Sequence, residues 1–246
     1  MLDWLQTTNP CGKHNSSLED HDPETSQWIH RIPEWPNWLS MRPSTRFLWI
    51  YGIPGCGKTV LASYLIEQVK QYSEHNRNLG YAYYYCIQNI QREEIPFLRW
   101  IVSQLCRQSN FVPDNLVKLH EQRHEPSIEE LHHILEVVLL KFERAFIMLD
   151  AVDESQERAN LINVLTTLAS DNRFGKIQIL ATSRDYIDIR IPFMRFAVSI
   201  PMSNTVVESD IRLSMSIKLR ENKRLQRWRQ RFPEMEDALA TRAQGM

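Results

Sequence analysis

Apolar residues recur along this chain in two rhythms. Short, largely apolar runs stand at 46–51 (Arg-Phe-Leu-Trp-Ile-Tyr), 80–86 (Gly-Tyr-Ala-Tyr-Tyr-Tyr-Cys), 145–149, 177–181 and 195–200. Between them the apolar positions fall three and four residues apart. Leu61, Leu65 and Val69 form one such series, with Val60, Tyr64 and Tyr72 beside them. Phe97, Leu98, Ile101, Val102 and Leu105 form a second; Leu131, Ile134, Leu135, Val138, Leu139 and Phe142 a third; Leu161, Leu165 and Leu168 a fourth. The short runs read as buried strands, and the wider spacing lays an apolar stripe along a helix. Strand and helix therefore alternate from 45 to about 201, the order that builds a parallel sheet with helices on both faces. The expected fold is α/β: a three-layer α/β/α sandwich around a mostly parallel five-stranded sheet.

The flanks differ from this core. Residues 1–44 hold Pro10, Pro23, Pro33, Pro36 and Pro43 together with Trp28, Trp35 and Trp38. A disordered linker is rarely so rich in Trp, so this lead-in is expected to form short helices and turns packed on the core. Residues 202–246 are read as the start of a helical segment. Between Arg212 and Arg231 stand eight basic residues against the single acid Glu221. Leu225, Trp228 and Phe232 share one helical face, and Arg220, Arg224, Arg227 and Arg231 another. An amphipathic helix with a solvated basic face is the preferred reading. A nucleic-acid-binding helix would carry interleaved aromatics and a wider basic field. The last residues, 242–246, close no element, so the chain is expected to be a fragment of a longer protein.

Composition narrows the partners. A formal net charge of −1 with 24% charged residues gives no global attraction to nucleic acid or to an anionic membrane. The cysteines, Cys11, Cys56, Cys86 and Cys106, have neither C-x-x-C pairing nor metal-ligand spacing, as suits a reducing compartment. No apolar run approaches the length of a membrane span, and the N-terminus lacks a basic region followed by an apolar one. A cytoplasmic location is the expectation.

The chemistry lies at strand ends. Residues 52–59, Gly-Ile-Pro-Gly-Cys-Gly-Lys-Thr, spell the phosphate-binding loop G-x-x-x-x-G-K-[ST] between an expected strand and an expected helix. Gly52, Gly55 and Gly57 let the backbone curl around an anion, and Cys56 and Val60 belong to the same cradle. The helix beginning near Lys58 adds the positive end of its dipole. Lys58 would bridge the β- and γ-phosphates, and the Thr59 hydroxyl would take one coordination position on Mg²⁺. Ala145-Phe-Ile-Met-Leu-Asp150-Ala-Val-Asp153-Glu154 has the form of a Walker-B strand. Asp150 is the candidate for the metal shell, Glu154 for orienting or deprotonating the attacking water, and Asp153 for a supporting acid. The strand-like run from Lys176 ends in Thr182, Ser183 and Arg184. Arg184 is placed to sense the γ-phosphate through a bidentate contact.

These pieces together resemble the NACHT (STAND) group of signalling P-loop NTPases, in the form common in fungal proteins and in nephrocystin 3-like N-terminal domains. The residues that carry the resemblance are Leu48-Trp-Ile-Tyr-Gly-Ile-Pro-Gly-Cys-Gly-Lys-Thr-Val-Leu61, Met148-Leu-Asp-Ala-Val-Asp-Glu154 and Ala181-Thr-Ser-Arg184. A Trp-containing approach (Trp28, Trp35, Trp38) precedes them. The resemblance implies an NLR-like nucleotide-dependent switch with slow hydrolysis of ATP or GTP. It also implies repeat and effector domains in a longer protein, a nucleotide-dependent oligomer, and a role in signal transduction or cell death.

Two other classes stay open at this stage: a nucleotide-binding scaffold without turnover, and a small-molecule P-loop kinase. A nucleic-acid motor needs a basic channel, which near-neutral charge argues against, so nucleic acid is not an expected partner. No Asn-Lys-x-Asp guanine signature occurs, since Asn222-Lys223 is followed by Arg224-Leu225. The base, adenine or guanine, is left open.

Overall fold

The computed structural model describes residues 2–40, 46–88, 90–203, 210, 212–214 and 216–217. Five strands, β1 (Phe47–Tyr51), β2 (Leu79–Tyr85), β3 (Arg144–Asp150), β4 (Ile177–Ser183) and β5 (Ala197–Pro201), form one sheet in the order β2-β3-β4-β1-β5. Every neighbouring pair is parallel, so the sheet is wholly rather than mostly so. Each strand overlaps the apolar run expected for it.

The strands are apolar on both sides because both sides are covered. Along β1, Phe47 and Trp49 enter one core while Leu48 and Ile50 enter the other. β3 repeats the alternation, with Ala145, Ile147 and Leu149 set against Phe146 and Met148. The first core is filled from α4 (Glu94–Ser109), α6 (Ile128–Leu139), α7 (Arg158–Ser170) and α8 (Ile187–Phe193), with Leu116 from α5 (Asp114–Glu121). The second is filled from α3 (Lys58–Glu74) and the lead-in tryptophans. α6 opens on a capping box between Ser127 and Glu130. It ends before Phe142, which continues the apolar face expected there and is still buried. α5 and α8 were not foreseen from the sequence.

Ahead of β1 come a 3-10 turn (Leu2–Leu5), α1 (Cys11–Glu19), a second 3-10 turn (Gln27–Arg31) and α2 (Glu34–Leu39). This lead-in straddles the edge of the sheet. Leu5 lies in the α4-side core, where Arg99 donates to the carbonyls of Leu5 at 3.2 Å and Trp4 at 2.5 Å. Trp28, Trp35 and Trp38 lie in the opposite core. Trp38 stacks on Trp35 and donates its indole N–H to the Ile179 carbonyl at 2.8 Å, while Gln178 donates to the Trp38 carbonyl at 3.1 Å.

β2 lies at that edge, yet its outward backbone groups are paired. Gln108 accepts the Tyr81 N–H at 3.0 Å and donates to the Tyr81 carbonyl at 2.6 Å. Gln104 treats Tyr83 alike, at 3.3 and 2.9 Å. Two side-chain amides of α4 thus take the place of a neighbouring strand. Most of the basic stretch expected as a helix at 212–231, and all of 218–246, lie outside the described residues.

Candidate nucleotide site

The sheet order sets β1, β4 and β3 side by side, so their carboxyl ends meet: Tyr51 is opposite Ser183, and Leu149 opposite Ala181. In an open parallel sheet, ligands sit at this end. The loop 52–59 leaves β1 here and feeds α3, whose first residue is Lys58.

The loop's glycines serve different needs. Gly55 and Gly57 have φ of 77° and 88°, in the left-handed region that side chains resist. Gly52 is instead a close approach: a Cβ there would lie 2.8 Å from Cys56 Sγ and 3.1 Å from Met202 Cβ. Cys56 is buried against this wall, so neither Gly52 nor Cys56 lines the cleft. Both were expected among the binding residues. They shape the loop from behind, because Cys56 points into the core that Leu48 and Ile50 occupy. The Lys58 ammonium lies over the loop and donates to the carbonyls of Gly52 at 2.9 Å and Ile53 at 2.8 Å.

Asp150, at the end of β3, is 2% exposed. Its carboxylate accepts the Thr182 hydroxyl at 2.5 Å, and the same hydroxyl oxygen accepts the Ala151 N–H at 2.9 Å. Burial pushes the Asp150 carboxyl up to about 6, against the opposing pull of hydrogen bonds from Thr182 and Thr59. Thr59 and Asp150, the two expected metal-shell residues, are therefore neighbours. Ala151 turns the chain with φ of 60°, and a 3-10 turn, Val152–Glu154, follows.

That turn separates its two acids. Asp153, expected as a supporting acid, faces Arg184: its carboxylate accepts the Arg184 backbone N–H at 2.9 Å and pairs with Nε at 3.1 Å. Arg184 also donates to the Tyr186 hydroxyl at 3.1 Å. The Glu154 side chain is half-buried and has no hydrogen bond or ion pair among the described residues.

One cleft of about 250 Å³ collects these groups. Gly55, Gly57, Lys58, Thr59 and Val60 line one side, and Asp150, Asp153, Glu154 and Arg184 the other. Thr182 lines it too. The sequence marked Thr182 only as a strand end; its signal was a hydroxyl two residues before Arg184, on the strand beside Asp150. A second hollow of about 320 Å³ shares Asp153, Glu154 and Arg184 and adds Gln88 and Arg158.

The donors suit Mg²⁺ carried by a nucleotide. Thr59 and Asp150 offer hard oxygen ligands, and no cluster of three or more His, Cys, Asp or Glu residues able to hold a metal exists among the described residues. Mg²⁺ is commonly held this way, by one or two protein oxygens with phosphates and waters completing its shell.

The sequence from 24 to 184 matches the profile of the nephrocystin 3 N-terminal family. The chain belongs to that family. The match takes in the tryptophans of the lead-in, the phosphate-binding loop, Asp150, Glu154 and Arg184, and leaves α1 outside. Comparison with curated proteins returns no match. Among solved structures, the Aeropyrum pernix ORC1 protein in complex with DNA superposes with a TM-score of 0.50 at 14% identity, over 82% of this chain and 56% of that one. Cdc6p of Pyrobaculum aerophilum gives 0.48 at 17% identity, over 78% and 49%. The ORC1 likeness speaks for the fold alone. The chain spans about half the length of these solved proteins. This nephrocystin 3-type domain is thus a P-loop NTPase-like nucleotide-binding domain. Among its described residues no helix is long and apolar enough to cross a membrane.

Proposed function

We propose that the chain is a nucleoside-triphosphate switch that binds ATP or GTP with Mg²⁺ and hydrolyses it slowly. The observation that carries this reading is the single cleft holding Lys58 and Thr59 opposite Asp150, Glu154 and Arg184. In this reading the loop N–H groups and Lys58 hold the phosphate tail, and Thr59 and Asp150 hold the metal. Mg²⁺, when bound, neutralises charge on the phosphate oxygens. Glu154, with no partner among the described residues, orients the attacking water and takes its proton. Arg184, aimed by Asp153, meets the terminal phosphate; a diphosphate does not reach it, so two domain arrangements follow from two nucleotides. Signal transduction by a longer cytoplasmic protein, with effector and repeat domains as its output, belongs to the same reading.

Titration of the purified chain with fluorescent ATP and GTP analogues, with and without Mg²⁺, tests it. Lys58→Ala is expected to weaken triphosphate binding at least tenfold, about 1.4 kcal/mol or more. Binding equal to that of the unsubstituted chain would remove the site. Phosphate released without any acceptor separates the switch from a kinase. Glu154→Gln is expected to slow that release by about 10²–10⁴-fold; an unchanged rate would sink the role given to Glu154.

A further inference from the structure

The nucleotide cleft takes up the carboxyl ends of the strands; the amino ends, on the opposite side of the sheet, are basic. Arg144 opens β3, Lys176 stands one residue before β4, and Arg46 one residue before β1, so three neighbouring strands are each led in by a cation. Asn78 leads into β2 in the same way. A hollow of about 700 Å³ lies at this end, and its lining includes Asn78, Leu140, Lys141, Glu143, Arg144 and Lys176. The length of β3 sets Arg144 about 20 Å from Asp150, so the hollow is no part of the cleft.

Lys141, Arg144 and Lys176 face one acid in this lining, Glu143. None of the three cations has an ion pair among the described residues, and the partners they do have are neutral. Arg144 donates to the Gly175 carbonyl at 3.0 Å, and Lys176 to the carbonyls of Leu139 at 3.1 Å and Phe142 at 2.7 Å. The Lys141 ammonium lies 4.2 Å from the centre of the Phe111 ring. Glu143 accepts the Asn78 side-chain amide at 3.1 Å. Capping the end of α6 accounts for Lys176, since a cation suits the carbonyls of a helix C-terminus. It does not account for Lys141 and Arg144 in the same hollow, where like charges repel one another and focus a positive field. Lys141 is exposed. Arg144 spends one N–H on Gly175 and keeps the rest of its fork, whose shape matches a carboxylate. Leu140, 71% exposed, sets an apolar side chain beside these charges.

We propose that this hollow is a docking site for an acidic peptide segment of a partner protein, its carboxylates meeting Arg144 and Lys141 and an apolar side chain resting on Leu140. Charge complementarity, with Leu140 set among the cations, selects this partner. Glu143 in the lining and the small extent of the basic field argue against nucleic acid, whose backbone needs a longer cationic surface. The site is separate from the nucleotide reading and stands or falls without it.

The test titrates the full chain with a short fluorescent peptide of alternating Glu and Leu, and with the same peptide carrying Gln in place of Glu. The acidic peptide is expected to bind saturably, and its Gln counterpart about tenfold more weakly or worse, as suits recognition by charge-assisted contacts. Lys141→Glu is expected to weaken the acidic peptide roughly tenfold, and Arg144→Gln by a similar factor. Because Lys141 is exposed, thermal melts of Lys141→Glu should match those of the parent. Arg144→Gln disturbs the bond to Gly175, so where that variant melts lower, Lys141→Glu decides. Equal binding of the two peptides overturns the proposal, as does an affinity for the acidic peptide unchanged by Lys141→Glu. Duplex DNA held by the parent in preference to the acidic peptide overturns it too, since the basic end would then serve a different class of partner.

Discussion

Asp150 is held between two demands. Its carboxylate must be charged to serve a metal, yet it is buried, and burial favours the protonated acid. The folded-state value of about 6 lies above the ordinary 3.8, so the folded chain keeps a proton that the unfolded chain has released. Stability from this group is therefore fullest below 3.8, falls as pH rises through about 6, and stays low above it. Asp150→Asn removes the buried charge and leaves an oxygen to accept the Thr182 hydroxyl. The variant is expected to melt higher than the parent at pH 7.5, by on the order of 1–3 kcal/mol of stability, while losing Mg²⁺-dependent nucleotide affinity. A lower melting temperature would contradict the argument. The glycines teach a related point. Gly57 and Gly52 are the two fixed glycines of one motif, but backbone sign requires the first and crowding by Cys56 and Met202 the second. The spacing in the sequence marks both alike.

At the scale of elements, what was legible follows from how each one docks. The strands and α3, α4, α6 and α7 bury apolar series, so pattern alone locates them. α1 buries only His14 and Ser17, and docks through hydrogen bonds that no hydrophobic period records. α8 reads Ile187-Asp-Ile-Arg-Ile191, a strand-like alternation, although only Ile189 and Phe193 are buried, one helical turn apart. α5 buries Leu116 alone. The site was legible where a fixed loop spacing or a strand end carried it. Thr182 and Gln88 come into place only through the packing of distant segments. The polar docking of α1 also has a pH signature. Burial and the Lys70 charge lower the pKa of His14, and Glu67 opposes them only in part. Tyr83 and Tyr85 of β2 complete its surroundings. The folded chain favours the neutral ring, whereas the unfolded chain takes up a proton near the ordinary 6.5. The contribution is therefore intact above 6.5 and is lost as pH falls below it. Melting temperatures taken in steps from pH 7.5 to pH 5 should show the decline, and His14→Gln should flatten part of it. An identical slope in the variant would remove His14 as its source.

Taken together, the described residues form two apolar cores divided by one sheet, with a lead-in that crosses from one core to the other around β2. Sequence patterning foresaw the layers. It could not foresee the crossing, because Leu5 and Trp28 look alike as apolar residues until the sheet lies between them. The glutamines on β2 carry a further consequence. With Gln104 and Gln108 occupying the backbone of Tyr81 and Tyr83, a foreign strand has no ladder to join on that side. A border closed in this way cannot be lengthened by a strand from another copy. On that side the fold is guarded against edge-to-edge growth into a fibre.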